Sequence, residues 1–208
     1  VMSLIHATTQ TSNTLVERSG PKVALVTTEG FRDILEFGRE ARYDLYDLTA
    51  RQVAPLVPRH LRFEVRERQT ADGLVITAVD EEQVKDLCTT LAEHDVQAVA
   101  VCLLHSYRNG SHEKQVAYLL REGGFDGDIV LSSDTCPEIR EFERASTTIA
   151  NAYLSPRVSG YIHRLDELLK ESAISAPWYM MSSHGGRLTV QAAARRPVEL
   201  LECGAAAG

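Results

Sequence analysis

The chain has 208 residues and a formal net charge of -7, with 44% apolar and 25% charged residues. That is the profile of an ordinary globular protein with a buried core, in one large domain or two small ones. The acidic balance, with no basic run longer than pairs such as Arg195-Arg196, argues against a nucleic-acid partner. No apolar stretch reaches the roughly 20 residues that span a bilayer. The start VMSLIHATTQ lacks the basic segment and apolar core of a secretory signal, so a cytoplasmic location is expected. Cys88, Cys102, Cys136 and Cys203 lie far apart without a C-x-x-C pair and read as reduced, mostly buried thiols.

In chain order, PKVALVTTEGFRDILEFGRE predicts a strand from Val23, a loop over Thr27–Gly30, and a helix with Phe31, Ile34, Leu35 and Phe37 on one face. LRFEVRER alternates apolar and charged residues, and ADGLVIT supplies an Asp72-Gly73 turn and a further strand. The two together suggest a β-hairpin. Asp80 should open a helix, with Gln83 completing a capping box and Val84, Leu87, Cys88 and Leu91 facing inward. Ala98–Leu104 is nearly continuous in apolar residues, as in a strand covered on both sides. Asn109 or Ser111 should cap a helix burying Val116, Leu119 and Leu120, and GDIVLSS reads as a third buried strand.

From about Glu138 the pattern becomes helical. Pro156 is expected to divide it into one helix ending near Leu154 and another running to about Lys170. WYMMSS reads as a strand, HGGRL as a turn, TVQAAARR as a short helix and VELLE as a last strand. Strand–helix alternation makes the first part α/β. The border is placed near Glu138–Phe142, giving an α/β domain over residues 1–140 and a second domain over 141–208.

Few residues carry chemistry on their own account. HATTQTSN gathers Thr8, Thr9, Thr11, Ser12, Asn13 and Thr14, short polar groups that can hold an anion or cap a turn. MSSHGGRL follows a strand with two glycines that let a ligand approach the backbone, or that simply make a tight turn. His184 in that loop could act as acid, base or ligand, or be solvated. His105 and His112 have no partners at metal-cage spacing, so no metal site is expected. Nothing resembling G-x-S-x-G surrounds Ser182 or Ser183. Glu138, Glu141 and Glu143 with Arg140 and Arg144 read as a solvated helix face.

Taken in order, HATTQTSNTLVERSGPKVALVTTEGFRD, YDLYDL with PLVPRHLRFEVRER, AVAVCLLHSYRNGSHE, SSDTCPEIREFERASTTIANAYLSP, YMMSSHGG and RPVELLECGAAAG resemble successive blocks of the hydantoinase A / 5-oxoprolinase family. The resemblance covers essentially the whole chain. It implies a mixed-sheet α/β domain followed by a helix-rich segment leading into an actin/Hsp70/sugar-kinase-like ATPase core. It further implies an ATP-dependent amidohydrolase A subunit that activates a cyclic amide by phosphorylation for ring opening, with ATP and Mg²⁺ as cofactors and a B-type subunit as partner in a hetero-oligomer. A-type subunits of ketone carboxylases share the pattern, and a non-catalytic assembly module is the alternative outside enzymes. The family's D-x-G-G-T-type phosphate loops have no counterpart here, so the resemblance implies an internal piece of a longer subunit, inactive alone.

Carried over by position, Thr8, Thr9 and Asn13 are expected at the active cleft. Ser183, Gly185 and Gly186 form a second loop, and Gly204 and Gly208 bound a third. Which loop meets nucleotide and which substrate is open, and no catalytic residue is assigned. The chain departs from the pattern at Ala7 (glycine), Gly110 (proline), Cys203 (serine) and Ala205 (proline).

Overall fold

The computed structural model describes residues 3–39, 46, 47, 49 and 53–207. Strand β1 (Leu4–His6) leads to helix α1 (Gln10–Val16), then β2 (Val23–Thr28), a one-turn α2 (Ile34–Phe37), β3 (Arg62–Val65), β4 (Arg68–Gln69) and β5 (Val75–Thr77). There follow α3 (Glu81–Glu93), β6 (Ala98–Cys102), α4 (Ser111–Glu122), β7 (Asp128–Leu131), a short α5 (Ser132–Thr135) and the long α6 (Glu141–Glu171). Strands β8 (Trp178–Met181) and β9 (Arg187–Thr189), α7 (Val190–Arg195), a 3₁₀ turn (Pro197–Leu200) and a short α8 (Cys203–Ala206) follow, and a further 3₁₀ turn (Arg59–Leu61) precedes β3. The class is α/β.

The chain forms two compact units, one of residues 22–149 and one of residues 1–21 with 150–208. In the first, β3, β2, β6 and β7 make a wholly parallel sheet in that order. Strand β2 is buried throughout because its run Val23–Val26 has apolar side chains on both faces, and β6 is buried likewise. Each fully buried Val or Leu there contributes roughly 1.5–3 kcal/mol. Helix α3 buries Val84, Leu87, Cys88 and Leu91, and α4 buries Val116, Leu119 and Leu120, as their 3.6-residue spacing predicts.

Several local expectations are corrected. LRFEVRER does not pair as one strand with ADGLVIT. Its first half, β3, joins the parallel sheet, and only Arg68–Gln69 pairs antiparallel with β5, across the turn where Gly73 takes φ 83°. Strand β7 is half-buried rather than buried, because it lies at the sheet edge. Asp80 accepts from the Gln83 amide as predicted, but the Gln83 side chain turns away to bond Arg66 N and Glu64 O, so the box is not reciprocal. Asn109 Oδ1 accepts from the Ser111 amide, while Gly110 is the residue that precedes α4.

The second unit is built on the sheet β1-β8-β9, in which β1 and β8 run parallel and β9 returns antiparallel. Its core gathers Leu154, Val158, Ile162, Met180, Ala193, Leu200 and Cys203. Helix α6 passes through Pro156 without a break. Leu154 before the proline and Val158 and Ile162 after it are packed in that same core, which holds both turns in line, while Pro156 itself is exposed. VELLE is a 3₁₀ turn and not a strand. The amide of Val198 donates to Asn151 Oδ1 and the carbonyl of Glu199 accepts from Ser183, so side chains and a loop satisfy backbone that a ladder would have used.

Candidate functional site

Parallel strands β1 and β8 lie side by side, and both end at the same edge of their sheet, β1 at His6 and β8 at Met181. In parallel α/β sheets the loops beyond the carboxyl ends of the strands are where ligands bind. Here the loop after β1 carries Thr8 and Thr9 and leads into α1 with Asn13, and the loop after β8 carries Ser183, Gly185 and Gly186. A third segment, Glu199–Gly204, meets both.

The bonds are specific. Cys203 Sγ accepts from Thr8 N at 3.3 Å and donates to Thr8 O at 3.1 Å. Thr11 Oγ1 donates to Leu200 O at 3.0 Å, and the Glu202 amide donates to Ser12 Oγ at 3.3 Å. Ser183 donates to Glu199 O from both its amide (2.8 Å) and its hydroxyl (2.7 Å). A Cβ built on Gly204 would lie 3.5 Å from Thr9 Cγ2, which is ordinary contact.

Thr8 is thus tied to Cys203 and Ser183 to Glu199, while Gly204 lies against Thr9, and these groups are partly engaged in holding the loops. Thr8 Oγ1 accepts from the Gln10 amide and the Ser183 hydroxyl is bonded to Glu199. Thr9 and Asn13 are exposed, Asn13 from within α1. Gly185 takes φ 79° in the turn that joins β8 to β9, and open space surrounds the Cβ position of both Gly185 and Gly186. His184 on that turn is exposed. Gly208 lies outside the described residues. Glu202 adopts a left-handed conformation, φ 58° and ψ 15°, which costs a non-glycine residue on the order of 1–3 kcal/mol.

One residue in this region escaped the sequence reading. His6, the last residue of β1, hydrogen-bonds the Tyr161 hydroxyl through Nε2. Partial burial lowers its pKa below the ordinary 6.5, because the charged imidazolium loses hydration there. Its only sequence signal is its place as the last β1 residue before the polar run.

The charged motifs of the other unit have a different role. The carboxyl ends of β2, β6 and β7 converge on a buried polar network. Arg144, expected on a solvated helix face, has 0% exposure. It donates to Leu103 O (2.7 Å), Glu138 O (2.9 Å) and Ser132 Oγ (3.1 Å). Glu113, also 0% exposed, accepts from Leu103 N, from Ser132 Oγ and from Ser133 N. Glu67 accepts from Thr28 Oγ1 and bonds His112 Nδ1 at 2.6 Å. This crevice is filled by the chain's own charges, each with partners, which is how buried ions are made tolerable. Among the described residues, no three His, Cys, Asp or Glu side chains form a group able to hold a metal ion. Likewise, no helix is long and apolar enough to cross a membrane.

The chain is thus an α/β scaffold in which sequence-distant loops are bonded together beyond two parallel strands, with backbone amides and hydroxyls gathered at that sheet edge. The family described as hydantoinase/oxoprolinase matches it, through its N-terminal region over residues 1–124 and a second region over residues 144–208. The chain belongs to the hydantoinase/oxoprolinase family.

It is 39% identical over 208 residues to the uncharacterized protein MJ0964 of Methanocaldococcus jannaschii, covering 99% of this chain and 31% of that protein. The acetophenone carboxylase gamma subunit of Aromatoleum aromaticum is 32% identical over 195 residues, 87% of this chain and 26% of its own length. Among solved structures, the ATP-dependent caprolactamase from Pseudomonas jessenii superposes with a TM-score of 0.89 at 36% identity, over 97% of this chain and 30% of that one. The chain therefore spans about a third or less of the relatives it matches.

Proposed function

We propose that this chain contributes loops to the active cleft of an A-type subunit of an ATP-dependent amidohydrolase, which activates a cyclic amide by phosphorylation for ring opening. The observation that carries the reading is the bonding of the Thr8–Asn13 segment and of the Ser183–Gly186 loop each to the Glu199–Gly204 segment, beyond β1 and β8. An amide is a poor electrophile because its nitrogen donates into the carbonyl, and a phosphate on the oxygen turns it into a competent one. A cleft for that chemistry needs donors for oxyanions, and hydroxyls and backbone N–H groups supply them. Thr8, Thr9 and Asn13, the Gly185–Gly186 turn, and Gly204 with Gly208 are the proposed contacts for nucleotide or substrate.

The donors suit phosphate oxygens. Mg²⁺ enters the proposal as the ion that accompanies the nucleotide's phosphates. The likeness to an ATP-dependent caprolactamase supports the lactam reading, and relatives named as enzyme subunits support a hetero-oligomer; an actin/Hsp70/sugar-kinase-like core in the parent subunit, a B-type partner and a cytoplasmic location complete the proposal. A second reading, the A-type subunit of a ketone carboxylase, is supported by the likeness to the acetophenone carboxylase gamma subunit.

The test is an amide-resolved NMR titration of the chain with Mg·ATP, then with ε-caprolactam and with acetophenone. The expected result is shifts confined to Thr8–Asn13, Ser183–Gly186 and Glu202–Gly204, with the lactam acting on the same set. Shifts elsewhere reject the cleft; no shift at millimolar ligand is what a piece lacking the D-x-G-G-T-type loops gives, and the same titration on a longer subunit that carries them then decides. A response to acetophenone in place of the lactam selects the second reading.

A further inference from the structure

We infer that Cys203 is a positioning residue, a thiol clasp that fixes the Thr8 backbone and makes the loop after β1 and the Leu200–Gly204 segment move as one body. The inference rests on the proposed cleft only for its functional meaning; the clasp itself is a matter of geometry. One sulfur atom serves both backbone polar groups of one residue, accepting from Thr8 N and donating to Thr8 O. Only a group that both donates and accepts at a single atom can do this, which among side chains of this size means Ser, Thr or Cys.

The surroundings make the clasp consequential. Cys203 has 0% exposure and belongs to the core with Leu200, Met180 and Leu154, so its sulfur sits on a rigid footing. The same two segments are joined twice more just before Cys203, by Thr11 to Leu200 O and by Glu202 N to Ser12. Glu202, between the bonded residues Leu200 and Cys203, is held in its left-handed conformation by anchors on both sides. A ligand that displaces one segment must therefore carry the other with it. Thr8, which the sequence places at the cleft, is oriented through Cys203.

This also explains why a thiol is accepted where related sequences show a serine. The hydroxyl's two roles, donor and acceptor, are both reproduced by sulfur, with weaker bonds at longer range.

The experiment is amide hydrogen exchange by NMR on the whole chain, without ligand. Cys203→Ala should speed exchange at the Thr8 and Glu202 amides about tenfold, the scale set by losing a pair of weak hydrogen bonds. Cys203→Ser should bring both back to within about threefold of the parent, with Met180 and Leu188 unchanged in either variant. If Cys203→Ser exchanges like Cys203→Ala, or Thr8 is insensitive to both, the clasp is refuted. Should Cys203→Ala loosen β8 as well, Cys203→Val, which refills the volume without a donor or acceptor, takes its place. Equal Thr8 exchange in the Val and Ser variants then refutes the clasp too. Because no ligand is present, failure of the Mg·ATP titration leaves this result untouched, and the reverse also holds.

Discussion

Arg144 shows how far a single residue can depart from its local pattern. PEIREFERAS reads as alternating charge on a helix surface, yet its guanidinium is fully enclosed and bonded to Leu103, Glu138 and Ser132. Leu103, to which it donates, stands 41 residues away, so nothing within one helical turn announces the burial. Arg144→Ala leaves Glu113 buried without its nearby positive charge, and should cost about 3–5 kcal/mol, read from urea unfolding. A loss below about 1 kcal/mol would place Arg144 in solvent after all. Cys102 is equally enclosed, and burial pushes its thiol up to about 12, so the reactive thiolate is essentially absent at neutral pH. Iodoacetamide on the native chain should modify the half-buried Cys136 and spare Cys102 until denaturant is added, as peptide mass spectrometry would show. At His6 the sign is fixed by burial. The folded chain binds this proton less readily than the unfolded chain, so its share of stability is present above about pH 6.5 and lost progressively below it. The His6 ring should titrate by NMR below 6.5; a midpoint at or above 6.5 contradicts the assignment.

At the scale of elements, helix α6 carries the sharpest expectation. Pro156 lies inside it, exposed, where it removes one backbone hydrogen bond. Pro156→Ala should therefore stabilise the chain by roughly 1–3 kcal/mol, seen as a higher melting temperature. A lower one would mean that the proline marks a real break. The elements that could be read from sequence were those whose cause is local. Buried strands β2 and β6 show as apolar runs, and α3 and α4 show as apolar faces. Those that could not be read have distant causes. VELLE has the composition of a strand, but Asn151 and Ser183 take its backbone groups. LRFEVRER alternates like one strand, but half of it is drawn to β2. The candidate site was legible in part. The residue types and glycines stood out, whereas the bonds tying Thr8 to Cys203 and Ser183 to Glu199 span segments that only folding brings together.

At the largest scale, these 208 residues form a discontinuous unit with a continuous one set into its sequence. Residues 22–149 hold a complete parallel sheet, its helices, and the Arg144–Glu113 network. A chain of residues 22–149 alone should consequently fold and melt cooperatively, as followed by circular dichroism. A molten, non-cooperative product would show that the division is not an energetic one. The other unit cannot be excised in this way, because β1 and β8 come from opposite parts of the sequence, with Leu4 facing Trp178. That pairing sets an order of events during synthesis. β1 emerges from the ribosome first and its partner about 170 residues later, which at cellular elongation rates is a wait of roughly 10 to 30 s. Through that interval Leu4–His6 lacks its β8 partner, with the apolar side chains of Leu4 and Ile5 open to other strands. A nascent chain with such an interval is a natural client for chaperones that act at the tunnel exit, and its yield in the cell should depend on translation speed between residues 22 and 178 more than on the stability of the finished fold.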